Sequence, residues 1–353
     1  MPLNRFRQSS LKTRVVLAVA LLFVGFASLL TWLVLRHFDQ SFRENLYHEQ
    51  FVLASTLADN IDDKIRQSQT LLTQVAAQVP PQALQNPQLA QDFLDQKSNL
   101  KTFFTNGILL IDARGRIVAE SPYLPGRRGR DVSSLEVFKV VSETRQPYIS
   151  KPFASVRAMG RPAITMALPL FNAQGEMVGR LHGSIELLGR NFLSDLNDFK
   201  LGQTGYVSLF TKDRIFISNR NPQRILQPIV LPGLNPLVDR AVAGFEGSDT
   251  TVTSRGEEVV SSLKHLNTVP WILSMNLPVS EATEPLQQAR DVLLLAIAAG
   301  TAVVVVLIWL VMRRALAPLD ALTQHVRELQ HKQGETRQLR LPASGEIGAL
   351  VQT

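Results

Sequence analysis

The chain has 353 residues, 45% of them apolar and none of them cysteine, and a formal net charge of +7. That length has room for two or three domains, and the lack of cysteine excludes disulfide scaffolds and thiolate chemistry. The positive charge does not mark a nucleic-acid surface, because most of it flanks two uncharged apolar runs.

Residues 1–14 carry Arg5, Arg7, Lys12 and Arg14 and no acid. Val15 to Leu35 follows without a charge. As a helix it would be about 31 Å long, the hydrocarbon thickness of a bilayer. The competing reading is a cleaved signal peptide, whose apolar core runs only about 7–15 residues before a small-residue cleavage site. Here Arg36, His37 and Phe38 follow instead, so the run is read as an uncleaved anchor. A second uncharged run, Val292 to Met312, has the same length. Residues 313–353 hold six basic and four acidic groups. The two ends thus carry +4 and +2 of the total, and the segment between the runs carries +1. The positive-inside rule puts both ends in the cytoplasm and residues 36–291 outside.

From Phe38 to Val79 apolar residues recur in steps of three and four, with neither Gly nor Pro. The period predicts one long amphipathic helix continuing from the first span and stopped by Pro80-Pro81. Asp59, Asp62, Asp63, Lys64 and Arg66 fall off its apolar stripe. Whether the stripe packs only on its own domain or also pairs with a second copy is left open by the spacing. Strand patterns come next. GILLID (107–112) and IVA (117–119) flank the turn ARGR, and ITMALPL (164–170) and MVGRLHGSI (177–185) flank NAQGE. A helix is predicted over about 187–199. Then NGILLIDARGRIVAES, from Asn106, returns as TGYVSLFTKDRIFISN, from Thr204. Aligned without a gap, Gly107 meets Gly205 and Arg116 meets Arg214, an offset of 98 residues. Two such hairpins predict two modules of one architecture. VVSSL (259–263) and WILSMNL (271–277) close the second.

A long helix followed by two α/β modules between two spans resembles a double Cache (PAS-like) extracytoplasmic sensor domain. The likeness is carried in order by LIDARGRIVAES, GRDVSSLEVFKVV, PYISKPF, PAITMALPLFNAQGEMVGRLHGSIEL and GQTGYVSLFTKDRIFISN. The fold class expected is therefore α+β: the helix 38–79, a membrane-distal module over about 80–200 and a proximal one over about 201–280, each with an antiparallel sheet. In the tail, Ala-Pro318 opens a helix with Leu319, Leu322, Val326 and Leu329 at heptad-like spacing. Glu346, Ile347, Gly348 and Leu350 open another. This tail resembles a HAMP linker, in which two chains form a parallel four-helix bundle. The resemblance assigns signal relay to Pro318, Glu346, Ile347, Gly348 and Leu350. It also leads one to expect an output module (histidine kinase, diguanylate cyclase or chemoreceptor type) beyond Thr353.

Catalytic patterns are lacking. There is no HExxH, CxxC or GxSxG, and the two Ser-x-x-Lys matches, at Ser98 and Ser261, have no companion motifs. The six histidines are scattered, with no ligand pair one helical turn apart. The chain is read as a non-enzyme with no metal, cofactor or nucleic-acid partner. The resemblance places a ligand site in the distal module, under the segment around 126–160. Amino-acid-binding members of the family carry Arg, Trp and Tyr where this chain has Leu135, Val137 and Phe138, and acids near Ser150 and Ser184; only Tyr148 agrees. An ammonium group would lack a counter-charge there, and burying one unpaired is costly. The same region is rich in cations, and arginine's fork suits carboxylates. The expected site is Tyr148, Arg130, Arg161, Phe138, Ser150, His182 and Ser184, and the expected ligand is an anion or organic acid. The whole is read as a homodimeric receptor of the bacterial inner membrane with a periplasmic sensor. The runner-up reading is a membrane-anchored adaptor that binds a protein partner.

Overall fold

The computed structural model describes residues 11–315. They form two compact units: Arg43–Glu284, and the helical segments on either side of it. Helix α1, Leu11–Ala76, runs unbroken through the first apolar run for 66 residues. Its rise of 1.5 Å per residue makes it about 100 Å long. Helix α7, Glu284–Ala315, contains the second run. The apolar windows in Ala18–Ala76 and Glu284–Val311 have mean hydropathies of 2.4 and 2.8 and none of either window is buried. Leu21, Leu22, Phe26, Leu295 and Val311 stand more than half exposed. In water so much bare apolar surface is unfavourable, whereas in lipid it is satisfied.

Within Arg43–Glu284, helix α2 (Pro87–Gln96) begins at Asn86, whose side chain accepts from the Gln88 and Leu89 amides. The first sheet comprises β1 (Gly107–Asp112), β2 (Ile117–Ser121), β3 (Tyr148–Ile149), β4 (Phe153–Ala154), β5 (Pro162–Phe171) and β6 (Met177–Glu186), with helix α3 (Glu136–Thr144) inserted before β3. Its order is β2-β1-β6-β5-β3, and β4 pairs with β5. After the single turn α4 (Asp195–Asp198) comes the second sheet: β7 (Tyr206–Thr211), β8 (Phe216–Ser218), β9 (Gly247–Val252), β10 (Glu258–His265) and β11 (Trp271–Pro278). Helix α5 (Pro236–Val242) precedes β9, and α6 (Val279–Ala282) leads to α7. The order β8-β7-β11-β10-β9 reproduces the five-strand path β2-β1-β6-β5-β3 of the first sheet, with β4 an addition to the first sheet alone.

Three expectations need correction. The repeat is real, but its offset is 99 residues, not 98. Leu110 pairs with Ala119 and, past a bulge, Ile111 with Ile117; Leu209 pairs with Ser218 and Phe210 with Phe216 in the same way. The positive φ of the first turn falls on Gly115 (86°) and that of the second on Arg214 (68°). A residue with a Cβ takes the left-handed position that glycine fills more easily, so matching arginine to arginine slips the alignment by one. A one-residue slip exchanges the two faces of a strand. The second correction is the helix over 187–199, of which only Asp195–Asp198 forms. The Asn191 amide donates to the Glu186 and Gly189 carbonyls and its oxygen accepts from the Leu193 amide, holding the backbone in a turn that competes with helix.

The third concerns the stripe on α1. Ala54, Ala58, Ile61, Ile65, Leu72 and Val75 are buried, whereas Leu53 is 46% exposed. Asp62, expected on the outer face, is fully buried. Its carboxylate accepts from the Asn267 amide at 2.7 Å and the Thr268 amide at 2.9 Å, and from the Thr268 hydroxyl. Gln50 donates to the Met275 carbonyl at 2.8 Å and the Val260 carbonyl at 3.1 Å. One continuous core results. It runs along α1 and takes in Ile108 and Leu110 of the first sheet and Val207 and Leu209 of the second.

Candidate ligand-binding site

Side chains alternate along a strand, so the odd-numbered residues of β1 turn away from α1. Leu109 and Ile111 join Ile117 and Phe138 in a separate cluster. The ladder register puts Ser184, His182 and Arg180 of β6 opposite Gly107, Leu109 and Ile111. Thr165 and Ala167 of β5 stand opposite Ser184 and His182, and Tyr148 opposite Ala167. Helix α3 covers this face through Val137, Phe138 and Val141, all buried. Four of the seven expected site residues (Tyr148, Ser150, His182 and Ser184) therefore share one sheet face, and a fifth, Phe138, sits on the helix that covers it.

Their hydrogen bonds show what remains free. The Ser150 hydroxyl accepts from the Thr165 amide at 2.9 Å, and the Thr165 and Ser184 hydroxyls bond at 2.6 Å. Tyr148 donates to Glu136 at 3.3 Å; burial first, then Glu136, pushes its phenol pKa up. His182 is 3% exposed and its Nε2 has no partner. Burial, assisted by the neighbouring Arg180 charge, lowers its pKa to about 3, so the ring is neutral.

Arg130 and Arg161 lie elsewhere. Arg130 is exposed; its amide donates to the Arg127 carbonyl and its carbonyl accepts from the Ile117 amide. Arg161 pairs with Glu186 at 3.1 Å with half its side chain in solvent. Two groups not anticipated from the sequence replace them. Arg180 is 2% exposed. Its guanidinium lies 3.7 Å from the centroid of the Phe138 ring and donates to the Ser142 hydroxyl. Its Nε and Nη1 have no acceptor. Burial lowers its pKa, against a weaker upward pull from Asp112. Glu120, also 2% exposed, is held by Arg157 at 2.5 Å and Arg127 at 3.0 Å. Arg180 was visible as pattern. Arg180, His182 and Ser184 recur every second residue between Gly179, Leu181, Gly183 and Ile185, a polar stripe on one face of a buried strand. Among the described residues no group of three or more His, Asp or Glu is placed to hold a metal ion. The relay residues Pro318, Glu346, Ile347, Gly348 and Leu350 lie outside the described residues.

The Cache domain family model matches residues 38–286. No curated protein matches the chain. Among solved structures, an extracellular ligand-binding receptor from Desulfohalobium retbaense superposes with a TM-score of 0.53 at 18% identity, over 65% of this chain and 40% of that one. The chain thus spans less than half of that receptor. The ligand-binding domain of the Pseudomonas aeruginosa PAO1 amino acid chemoreceptor PctC, in complex with GABA, gives 0.52 at 18% identity, over 65% of this chain and 99% of that one. That of the Pseudomonas fluorescens chemoreceptor CtaA with L-leucine gives 0.53 at 18% identity, over 69% and 100%. Likeness at this level establishes the fold.

Proposed function

We propose, of a chain that belongs to the Cache domain family, that it is the sensory part of a homodimeric receptor of the bacterial inner membrane. Both ends are cytoplasmic and Arg43–Glu284 is periplasmic. The membrane-distal, first module takes a small organic acid beneath α3. Occupancy shifts the balance between two arrangements of the module, and the shift passes along α7 and a HAMP-like segment, 313–353, to a histidine kinase, diguanylate cyclase or chemoreceptor output. Coupling of this kind needs only that the ligand bind one arrangement better than the other.

The observation that carries this reading is the buried Arg180 guanidinium, with two nitrogens lacking acceptors beside a neutral histidine. An unpaired charge in such a place costs several kcal/mol. A ligand carboxylate oxygen would accept from Nε or Nη1, in either case through a charge-assisted hydrogen bond. The ammonium of an α-amino acid finds no acid at Ser150 or Ser184, and Glu120 already serves two arginines. Isothermal titration of the full chain in nanodiscs with succinate, malate, lactate and L-leucine tests it. The expected result is binding of at least one organic acid, weakened about 10- to 100-fold by Arg180→Gln, the range for hydrogen bonds to a charged group. Tight leucine binding with no response to the acids would refute it. A topology reporter fused near Gly205 that proved cytosolic would remove its premise.

A further inference from the structure

The second module holds a cavity of about 310 Å³ on the sheet face turned away from α1. Small-molecule sites begin at roughly this size, about 300 Å³. Its walls are divided. One end is apolar, with Phe216, Leu237, Val238 and Leu263. The other end is polar and uncharged: Ser208 on β7, Ser274 and Asn276 on β11, Ser261 on β10 and Asn219 just after β8, none more than 7% exposed.

These positions match those of the first module. The offset of 99 carries Leu109 onto Ser208 and Glu120 onto Asn219. Ser274 stands opposite Ser208 as His182 stands opposite Leu109. Asn276 faces Tyr206 as Ser184 faces Gly107. Ser261 faces Asn276 as Thr165 faces Ser184. The charged and titrating groups of the first module, Glu120 and His182, are here an amide and a hydroxyl. A sheet face that serves only to pack would be apolar throughout, as it is at Phe210, Ile272 and Leu263 on the same strands.

We propose that this cavity is a second ligand site, for a small uncharged compound rich in hydroxyl groups, such as a polyol or monosaccharide. Hydroxyls and carboxamides both donate and accept, as sugar hydroxyls do. The bonds they make to one another, Asn219 to Ser208 at 3.1 Å and Asn276 to Ser274 at 2.9 Å, leave donors and acceptors to spare. An ionic ligand would be buried against a floor with no counter-charge. The charged groups lie at the rim: Arg220 donates to the Thr204 carbonyl and Arg224 to the Pro228 and Ile229 carbonyls, while Arg255 and Glu257 bring opposite charges. The apolar wall suits the C–H face of a ring. Ser274 and Asn276 sit on the strand that ends at Pro278, and Thr204 at the cavity mouth donates to Glu281 of α6, just before α7 starts. Occupancy would therefore act on the chain where it enters the second span.

This inference does not depend on the first-module ligand, and its test separates the two. Titration and thermal melts of the full chain in nanodiscs would use glycerol, ribose, glucose and myo-inositol, with succinate and lactate for contrast. At least one neutral probe is expected to bind the wild type and Arg180→Gln alike. Asn276→Leu, which keeps the volume and removes the amide, should weaken that binding about tenfold; Tyr206→Phe should weaken it about threefold and carries the test if the leucine variant fails to fold. The proposal is overturned if all four neutral probes are silent. It is equally overturned if their binding ignores both variants, or if succinate binding is lost in Asn276→Leu and kept in Arg180→Gln.

Discussion

Acidification should weaken the fold through His182. The ordinary imidazole pKa of 6.5 falls to about 3 in the folded chain, because burial disfavours the charged ring and Arg180 repels it. The unfolded chain therefore takes up a proton that the folded one refuses, and stability declines wherever that difference exists. The stabilisation is complete above pH 6.5 and is lost progressively as pH falls toward 3. At pH 5 the unfolded ring is about 97% protonated and the folded ring almost neutral, which corresponds to about 2 kcal/mol. Urea melts of the Arg43–Glu284 segment would measure it, followed by the fluorescence of Trp271. That is the segment's single tryptophan, since Trp32 and Trp309 lie outside it. The shared core along α1 makes one cooperative transition the expectation. Wild type should lose about 2 kcal/mol more than His182→Gln between pH 7.5 and pH 5. Equal losses in the two proteins would show that the ring is not held neutral, and the electrostatic description of the first module would be wrong with it.

Glu120→Gln should destabilise the same segment by about 3 kcal/mol, because it leaves Arg127 and Arg157 facing an uncharged amide in a buried place; a change below about 0.5 kcal/mol would place those arginines in water. Asp62→Ala should cost about 2–3 kcal/mol in urea melts by stranding the Asn267 and Thr268 amides, and should speed hydrogen exchange at those two amides. Glu281 has its carboxyl held below its ordinary value of 4.5, first by the Gln203 amide and then by the Thr204 hydroxyl. Its tie to the 203–204 loop is present above pH 4.5 and lost as pH falls through the lowered pKa. Protection of the Gln203 and Thr204 amides against exchange, relative to their intrinsic rates, should fall as pH drops through that lowered pKa in wild type and be weak at every pH in Glu281→Ala.

Much of this architecture is written in periods. The unbroken apolar steps after Phe38, the two uncharged runs and the paired hairpins are local signals, and each marks an element that forms. What escaped depends on partners far along the chain. Asp62 looks like a surface acid until a loop some 205 residues later brings it two amides. Arg180 reads as a turn-proximal cation unless its strand is known to be buried on both faces. The second module's polar floor is assembled from serines and asparagines on three strands and just past a fourth, residue types that individually signal only turns and surfaces. The repeat was legible, its register was not, because an arginine had taken over the left-handed turn position from glycine.

Because α1 serves both sheets, its length is under a constraint that loops escape. Tyr47, Gln50 and Asp62 engage the second sheet and its loops, while Thr73 and Ala76 adjoin the β5–β6 turn of the first. One residue inserted between Asp62 and Thr73 would turn everything beyond it by about 100° and advance it about 1.5 Å. Seven inserted residues would restore the angle to within about 20° yet displace the far contacts by about 10 Å. The spine thus works as a gauge block: the spacing of the modules is set in whole residues, so substitutions leave it intact and an insertion or deletion breaks the far contacts.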